Sequence, residues 1–252
     1  MYTLQSFYAL TIMLFLFVTQ PAVAQVSPEV EQLFYRGYLT SSKTPWEQAL
    51  KKIKNDASLT PSQRLMATTE AQAGLLIYTM ASQDEATFDE VADDLEKNLE
   101  TLLEQNEKNS HALARFAQLY GATISFSSYK AMYLGPQSQN LVDKALTYDP
   151  ANAEAWVQRG TSALFTPAMF GGDVEEAVSC FQKAVQYFEE QSDTTRNWQY
   201  INALAWLGQA LQQAGQTSEA VTVFNKALDV EPDFGWVKHQ LLPQATAQTT
   251  SN

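Results

Sequence analysis

The segment from residue 204 to residue 232 constrains the fold most, because small, apolar and helix-ending residues recur in it at the spacing of a helical hairpin. Gly208 and Ala220 are small where two helices would cross closely, and Pro232 would end the second helix. Large apolar side chains are spaced to fill the seam between the helices: Leu204, Leu207, Leu211 and Phe224. The segment is therefore predicted to form two packed antiparallel helices.

With Ala227, these positions resemble the tetratricopeptide repeat, a helix-turn-helix unit of about 34 residues. Two earlier segments show related marks, in which Gly121 precedes Ala145 by the same interval as Gly160 precedes Ala184. That interval is five residues longer than the one from Gly208 to Ala227, which indicates an insertion in each earlier copy. A second register for the first of these copies uses a different set of marks: Leu113, Phe116, Ala117 and Tyr120.

The resemblance implies an all-α, right-handed solenoid of about five helical hairpins, with lengthened loops between helices and a C-terminal capping helix. Recognisable repeats and the capping helix would occupy residues 109–242, and divergent hairpins would occupy residues 25–108. The polar residues 243–252 are predicted to form a disordered tail. Helices in the divergent part are expected at Pro28–Leu39, Pro45–Lys54, Pro61 to about Ser82 and Asp89–Gln105, with Thr60 capping the third.

The first 24 residues have the pattern of a cleaved secretory signal peptide. An apolar run from Phe7 to Val18 is too short to span a bilayer, and the small-residue site Ala22-Val23-Ala24 follows it. Cleavage would leave Gln25 at the mature amino terminus. We therefore expect an exported bacterial protein, periplasmic or secreted, without stable membrane insertion after cleavage.

Charge and motifs exclude several classes of function. The net charge of −12 argues against nucleic acid as a partner. A single cysteine, Cys180, cannot form an internal disulfide, and its apolar helical surroundings favour a buried, inert thiol. His111 and His239 lack metal-ligand spacing, so neither a metal nor another cofactor is expected. No nucleophile or phosphate-binding motif is present, so we expect a protein that is not an enzyme.

The two insertions are similar in sequence, since each contains Ala, Met, an aromatic residue and, two positions later, Gly. They supply four candidate partner-binding side chains: Met132, Tyr133, Met169 and Phe170. Methionine and aromatic side chains suit adaptable apolar contacts. Equivalent loops of adjacent repeats lie side by side in a solenoid, so these residues would form an apolar ridge. The alternative is that the side chains fold back and cover their own hairpins.

The resemblance also implies a groove lined by the first helix of each hairpin. Groove-facing candidates for partner binding are Arg115, Gln118, Val157, Thr161, Gln209 and Gln212. The function that follows is a non-catalytic periplasmic scaffold that binds a protein or peptide. The alternative is an accessory protein of a solute transporter, resembling the T component of tripartite systems, that binds a small apolar ligand or a solute-binding protein. The sequence does not indicate an oligomeric state.

Overall fold

The computed structural model describes residues 26–191 and 194–249, and within them it has eleven α-helices. The predicted signal peptide lies outside the described residues. Short 3₁₀ turns at Ser128–Lys130 and Ala168–Phe170 and a π-helical turn at Val237–Leu241 interrupt the helices. In chain order the helices are α1 (Pro28–Leu39), α2 (Lys43–Asn55), α3 (Pro61–Ser82), α4 (Glu85–Gln105), α5 (Ser110–Phe126), α6 (Ala131–Tyr148), α7 (Ala153–Phe165), α8 (Val174–Gln191), α9 (Trp198–Gln213), α10 (Thr217–Val230) and α11 (Leu242–Thr249).

Side-chain caps define where most of the odd-numbered helices begin. Ser27 accepts a hydrogen bond from the Val30 N–H at the start of α1, and Thr60 forms a capping box with Gln63 at the start of α3. Asparagine side chains cap α5, α7 and α9 in the same way. The predicted bounds of α1 and α3 are confirmed, because a cap and a following proline mark both starts.

Within the hairpins, a glycine on the first helix receives an aromatic ring from the second. A Cβ added to Gly160 would lie 2.9 Å from the Phe181 ring, and one added to Gly208 would overlap Phe224. Trp46 occupies the corresponding place against Gly37 in the first hairpin. These close approaches explain why glycine is required at these positions.

The hairpin of α5 and α6 follows the second register. Gly121 is exposed and no atom lies within 4 Å of the position its Cβ would take, so the first register is wrong there. Ala117 is instead buried, and its carbonyl accepts a hydrogen bond from Ser138 of α6. Helix α5 continues nine residues past Ala117, whereas α7 continues five past Gly160, so α5 is about one turn longer beyond the crossing.

Helices α1, α3, α5, α7 and α9 form the inner layer of the solenoid, and each contacts the next of them along the chain. Helix α1 also contacts α9, so the first hairpin meets the last. Two hydrogen bonds of 3.0 Å fix this closure: Tyr38 donates to Asn202 of α9, and Tyr35 donates to Glu231 after α10. The inner helices thus surround an axis instead of lining an open groove, and α9 is accordingly buried on nearly every face.

Residues 242–249 are helical where the sequence predicts a disordered tail from residue 243. Helix α11 packs on α10 and buries Ala245, while the preceding π-helical turn buries Val237 and Leu241. These apolar residues cover the otherwise open face of the last hairpin. The capping element therefore extends to Thr249.

Candidate functional site

The structure does not bring the predicted groove residues to an open surface. Arg115, Gln118 and Val157 are buried, each less than a tenth exposed. Thr161, Gln209 and Gln212 are half-buried along their helices. A small cavity adjoins this face, and its volume of about 20 Å³ suffices for about one water. A peptide could not enter the inner face without separating the helices.

Arg115 is instead the centre of a polar cluster that joins four inner helices. Its guanidinium donates to Glu70 of α3 at 2.5 Å and to Gln118 at 2.8 Å, and it lies 3.0 Å from Glu154 of α7. Gln199 of α9 donates to both carboxylates, at 3.1 Å to Glu70 and at 2.6 Å to Glu154. The cluster therefore ties α3, α5, α7 and α9 together at the axis.

Electrostatics in this cluster follow from one buried cation between two acids. Burial disfavours the charged carboxylate of Glu154, but Arg115 and His111 outweigh burial and lower its pKa to about 2. Burial dominates at Glu70 and raises its pKa in spite of Arg115. His111 lies 3.9 Å from Glu154; burial opposes its protonation, but this carboxylate raises the pKa of His111. The arrangement resembles a structural ion network, and sequence spacing alone gave no sign of it.

The second predicted surface is exposed. We define the apolar ridge as six side chains around the α5–α6 and α7–α8 connections: Tyr129, Met132, Tyr133, Phe165, Met169 and Phe170. Met132 is 88% exposed, Met169 82% and Phe170 70%. Among the described residues, Tyr148 is the one large exposed apolar side chain outside the ridge. The alternative, that these side chains fold back over their hairpins, does not describe this structure.

Local structure presents the ridge in two different ways. Met132 and Tyr133 lie in the first turn of α6, after the 3₁₀ turn, although the sequence predicts a loop there. Met169 and Phe170 lie on a true connection, where Gly171 adopts a positive φ of 96°. A Cβ on Gly172 would collide with the Thr166 backbone, so this turn needs glycine for both conformation and space. Phe165 anchors it by an edge-to-face contact with Trp206 at 5.4 Å.

Three other features of the described residues bear on function: the Cys180 thiol, possible metal sites and possible membrane-spanning helices. Cys180 is buried as predicted, and burial raises the pKa of its thiol to about 11, which disfavours the reactive thiolate. Across residues 26–191 and 194–249, no group of three or more His, Cys, Asp or Glu side chains could hold a metal ion. Over the same ranges, none of the helices has the length and hydropathy needed to cross a bilayer.

Comparison with known proteins agrees with this architecture. A model of the tetratricopeptide repeat matches residues 201–234. The HusA haemophore from Porphyromonas gingivalis has a similar fold, with a TM-score of 0.60 and 16% identity over 75% of this chain and 95% of that one. TTC0263, a thermophilic TPR protein of Thermus thermophilus, has a TM-score of 0.51 and 17% identity over 88% of this chain and 94% of that one. No curated protein matches the sequence.

The fold and its repeated glycine–aromatic crossings define a helical-hairpin repeat protein. Within that class, the match at residues 201–234 covers one repeat, and the fold is similar to that of TTC0263, so the solenoid is of the tetratricopeptide-repeat type. The predicted fold class is therefore confirmed. Proteins of the tetratricopeptide-repeat family are in general non-catalytic scaffolds for protein–protein interaction.

Proposed function

We propose that the protein is an exported, non-catalytic binding module that holds a protein partner on the apolar ridge. The observation that carries this proposal is that six of the seven exposed large apolar side chains among the described residues lie around the equivalent α5–α6 and α7–α8 connections of neighbouring hairpins, on an acidic protein. Contiguous exposed apolar patches on soluble proteins are typical of interaction sites, whereas single exposed residues need no explanation. Aromatic side chains are also the ones that most often dominate binding energy at interfaces.

The inner face supports this choice of surface, because its polar side chains already bond to other residues of the protein. Arg115 and Gln118 already have buried hydrogen-bond partners, and the hydroxyl of Tyr38 in α1 donates a hydrogen bond to the Asn202 side-chain oxygen. A peptide that bound there would have to replace these contacts before gaining its own. The ridge needs no such rearrangement, because its side chains are exposed in the free protein.

Replacing Tyr133 and Phe170 together with serine tests the proposal. Because both side chains are at least half exposed, the free energy of unfolding should change by less than about 1 kcal/mol. Capture of the partner from envelope extract by immobilised protein, followed by mass spectrometry, should be lost. The matched control is Tyr148→Ser, since Tyr148 is also exposed but lies outside the ridge. Loss of the same partner with the control variant, or a large fall in stability with the ridge variant, would refute the proposed surface.

Export is the second part of the proposal, and it depends on the amino-terminal pattern described above. Intact-mass measurement of the protein from a periplasmic or secreted fraction should give a chain that begins at Gln25, with or without cyclisation of that glutamine. A chain that retains residues 1–24 in that fraction would contradict the predicted cleavage. The control is Ala24→Arg, which disrupts the small-residue site and should leave the precursor uncleaved.

A second candidate is that the ridge binds a small apolar ligand, as the transporter-accessory alternative requires. Two observations favour it: the structural likeness to a haemophore, and the exposed methionine and tyrosine side chains of the ridge. Thioether, phenol and aromatic groups suit a flat apolar ligand such as haem. Titration with haem, followed by its absorbance, separates the candidates: a stoichiometric spectral change in the parent and none in the Tyr133→Ser, Phe170→Ser variant would favour the small ligand.

A further inference from the structure

We infer that the segment bound by the apolar ridge is a cationic amphipathic one, with an apolar face bordered by Lys or Arg residues. This inference rests on the proposed function and specifies the chemistry of the partner. It follows from the distribution of charge, because the ridge itself is nearly uncharged whereas the residues that border it are acidic.

The ridge is nearly free of charge although the protein carries 28 acidic residues. Lys130 is the one charged residue in the sequence between Arg115 and Asp143, and there is none between Arg159 and Asp173. An apolar contact area without acids avoids the cost of burying unpaired carboxylates when a partner covers it. Apart from Lys130, the charges that a partner would meet therefore lie at the border of the ridge.

The border beside the α5–α6 connection is acidic. Phe88, near the start of α4, stacks on Phe126 at a ring-centroid distance of 4.4 Å, and Phe126 ends α5 just before Tyr129. This contact places the first turns of α4 next to the ridge. Those turns carry exposed carboxylates on either side of Phe88: Glu85, Asp89 and Glu90.

The border beside the α7–α8 connection is acidic as well. The connection ends at Asp173, whose carboxylate caps α8 by accepting hydrogen bonds from the Glu175 and Glu176 N–H groups. The side chains of Glu175 and Glu176 are exposed and follow Phe170 closely in the chain. Both α4 and α8 begin at this edge, so the ridge is bounded by acids that also favour helix starts.

An apolar surface bordered by carboxylates complements a helix whose apolar face is bordered by cations. The net charge of −12 adds a long-range attraction for such a segment and a repulsion for acidic segments and anionic lipid surfaces. Because the border is exposed, the electrostatic part of binding is screened by salt, whereas the apolar part is not.

The test uses two designed amphipathic helices with the same leucine face, one with lysine and the other with glutamate on the polar face. The parent protein should bind the lysine peptide at least about tenfold more tightly than the glutamate peptide at low salt, and the difference should shrink as salt is added. Fluorescence anisotropy of labelled peptides gives both dissociation constants.

Two pairs of substitutions in α4 provide the matched comparison. Asp89→Asn with Glu90→Gln removes two charges beside the ridge, and Glu104→Gln with Glu107→Gln removes two exposed charges at and just beyond the far end of the same helix. The first pair should weaken lysine-peptide binding several-fold at low salt, and the second pair should weaken it less. Circular dichroism verifies that both variants remain helical.

The outcomes distinguish this inference from the proposed function. Equal binding of both peptides, abolished by Tyr133→Ser with Phe170→Ser, would overturn the cationic partner and leave the ridge as the binding surface. Equal weakening by the two α4 pairs would also overturn it. Ridge-dependent binding to zwitterionic phosphatidylcholine vesicles without preference between the peptides would overturn it in favour of a lipid surface. Lysine-peptide binding unaffected by the ridge substitutions would instead refute the proposed function.

Discussion

Replacement of Arg115 by methionine should lower the free energy of unfolding by about 3–5 kcal/mol, because it leaves two largely buried carboxylates without their cation. Arg115 is only 6% exposed and contacts Glu70 and Glu154, which come from different helices. Methionine keeps much of the volume but cannot donate a hydrogen bond. Urea denaturation at constant pH, monitored by helical circular dichroism, measures the change.

Two further variants show whether the loss comes from uncompensated charge. Arg159→Met removes an arginine that pairs with the exposed Asp143, so it should cost less than about 1 kcal/mol. Arg115→Met combined with Glu70→Gln and Glu154→Gln leaves no buried charge of this set and should recover much of the stability. If Arg115→Met costs no more than Arg159→Met, the inner face is hydrated and the conclusion that it is closed must be abandoned.

Replacement of Trp46 by alanine should cost about 3–5 kcal/mol. Trp46 is 1% exposed, stacks on Phe34 at 5.5 Å and meets Trp198 of α9 edge to face at 5.6 Å. A Cβ added to Gly37 of α1 or Gly74 of α3 would overlap the Trp46 ring, so the indole fills the space between these two helices. Its loss would leave a cavity where the first hairpin meets the rest of the protein.

Trp46→Phe is the matched control, because it retains an aromatic ring at this position. It also removes the indole N–H, which is buried without a hydrogen-bond partner in the described part of the chain. We expect Trp46→Phe to cost clearly less than Trp46→Ala in the same denaturation assay. Equal and small costs for both variants would show that the first hairpin adds little to the stability of the fold.

Local features of the fold were predictable from the sequence. The starts of α1 and α3 depend on capping side chains and prolines next to them, and the last hairpin depends on Gly208 and Phe224 within one repeat. Each of these signals acts over a few residues or one helical crossing. The similarity of the two insertions also singled out four side chains of the ridge, Met132, Tyr133, Met169 and Phe170, but it left open whether they are exposed.

Contacts between distant parts of the chain were not predictable in this way. The bond from Tyr35 to Glu231 joins residues 196 positions apart, and nothing near either residue indicates its partner. The repeat pattern places Arg115 in a groove, because it describes neighbouring hairpins and contains no information about closure. The α11 helix was missed for a related reason: its polar sequence is helical because Ala245 packs on the preceding elements.

The contact between the first and last hairpins also affects how the protein unfolds. In an open repeat array, stability is a sum of nearest-neighbour terms, so the ends fray and repeats can be added or deleted. Here Tyr35 and Tyr38 join α1 to the final hairpin, so neither terminal hairpin can detach without breaking contacts at two places. Such closure replaces gradual melting from the ends with one cooperative transition, and it fixes the number of repeats that the chain can tolerate.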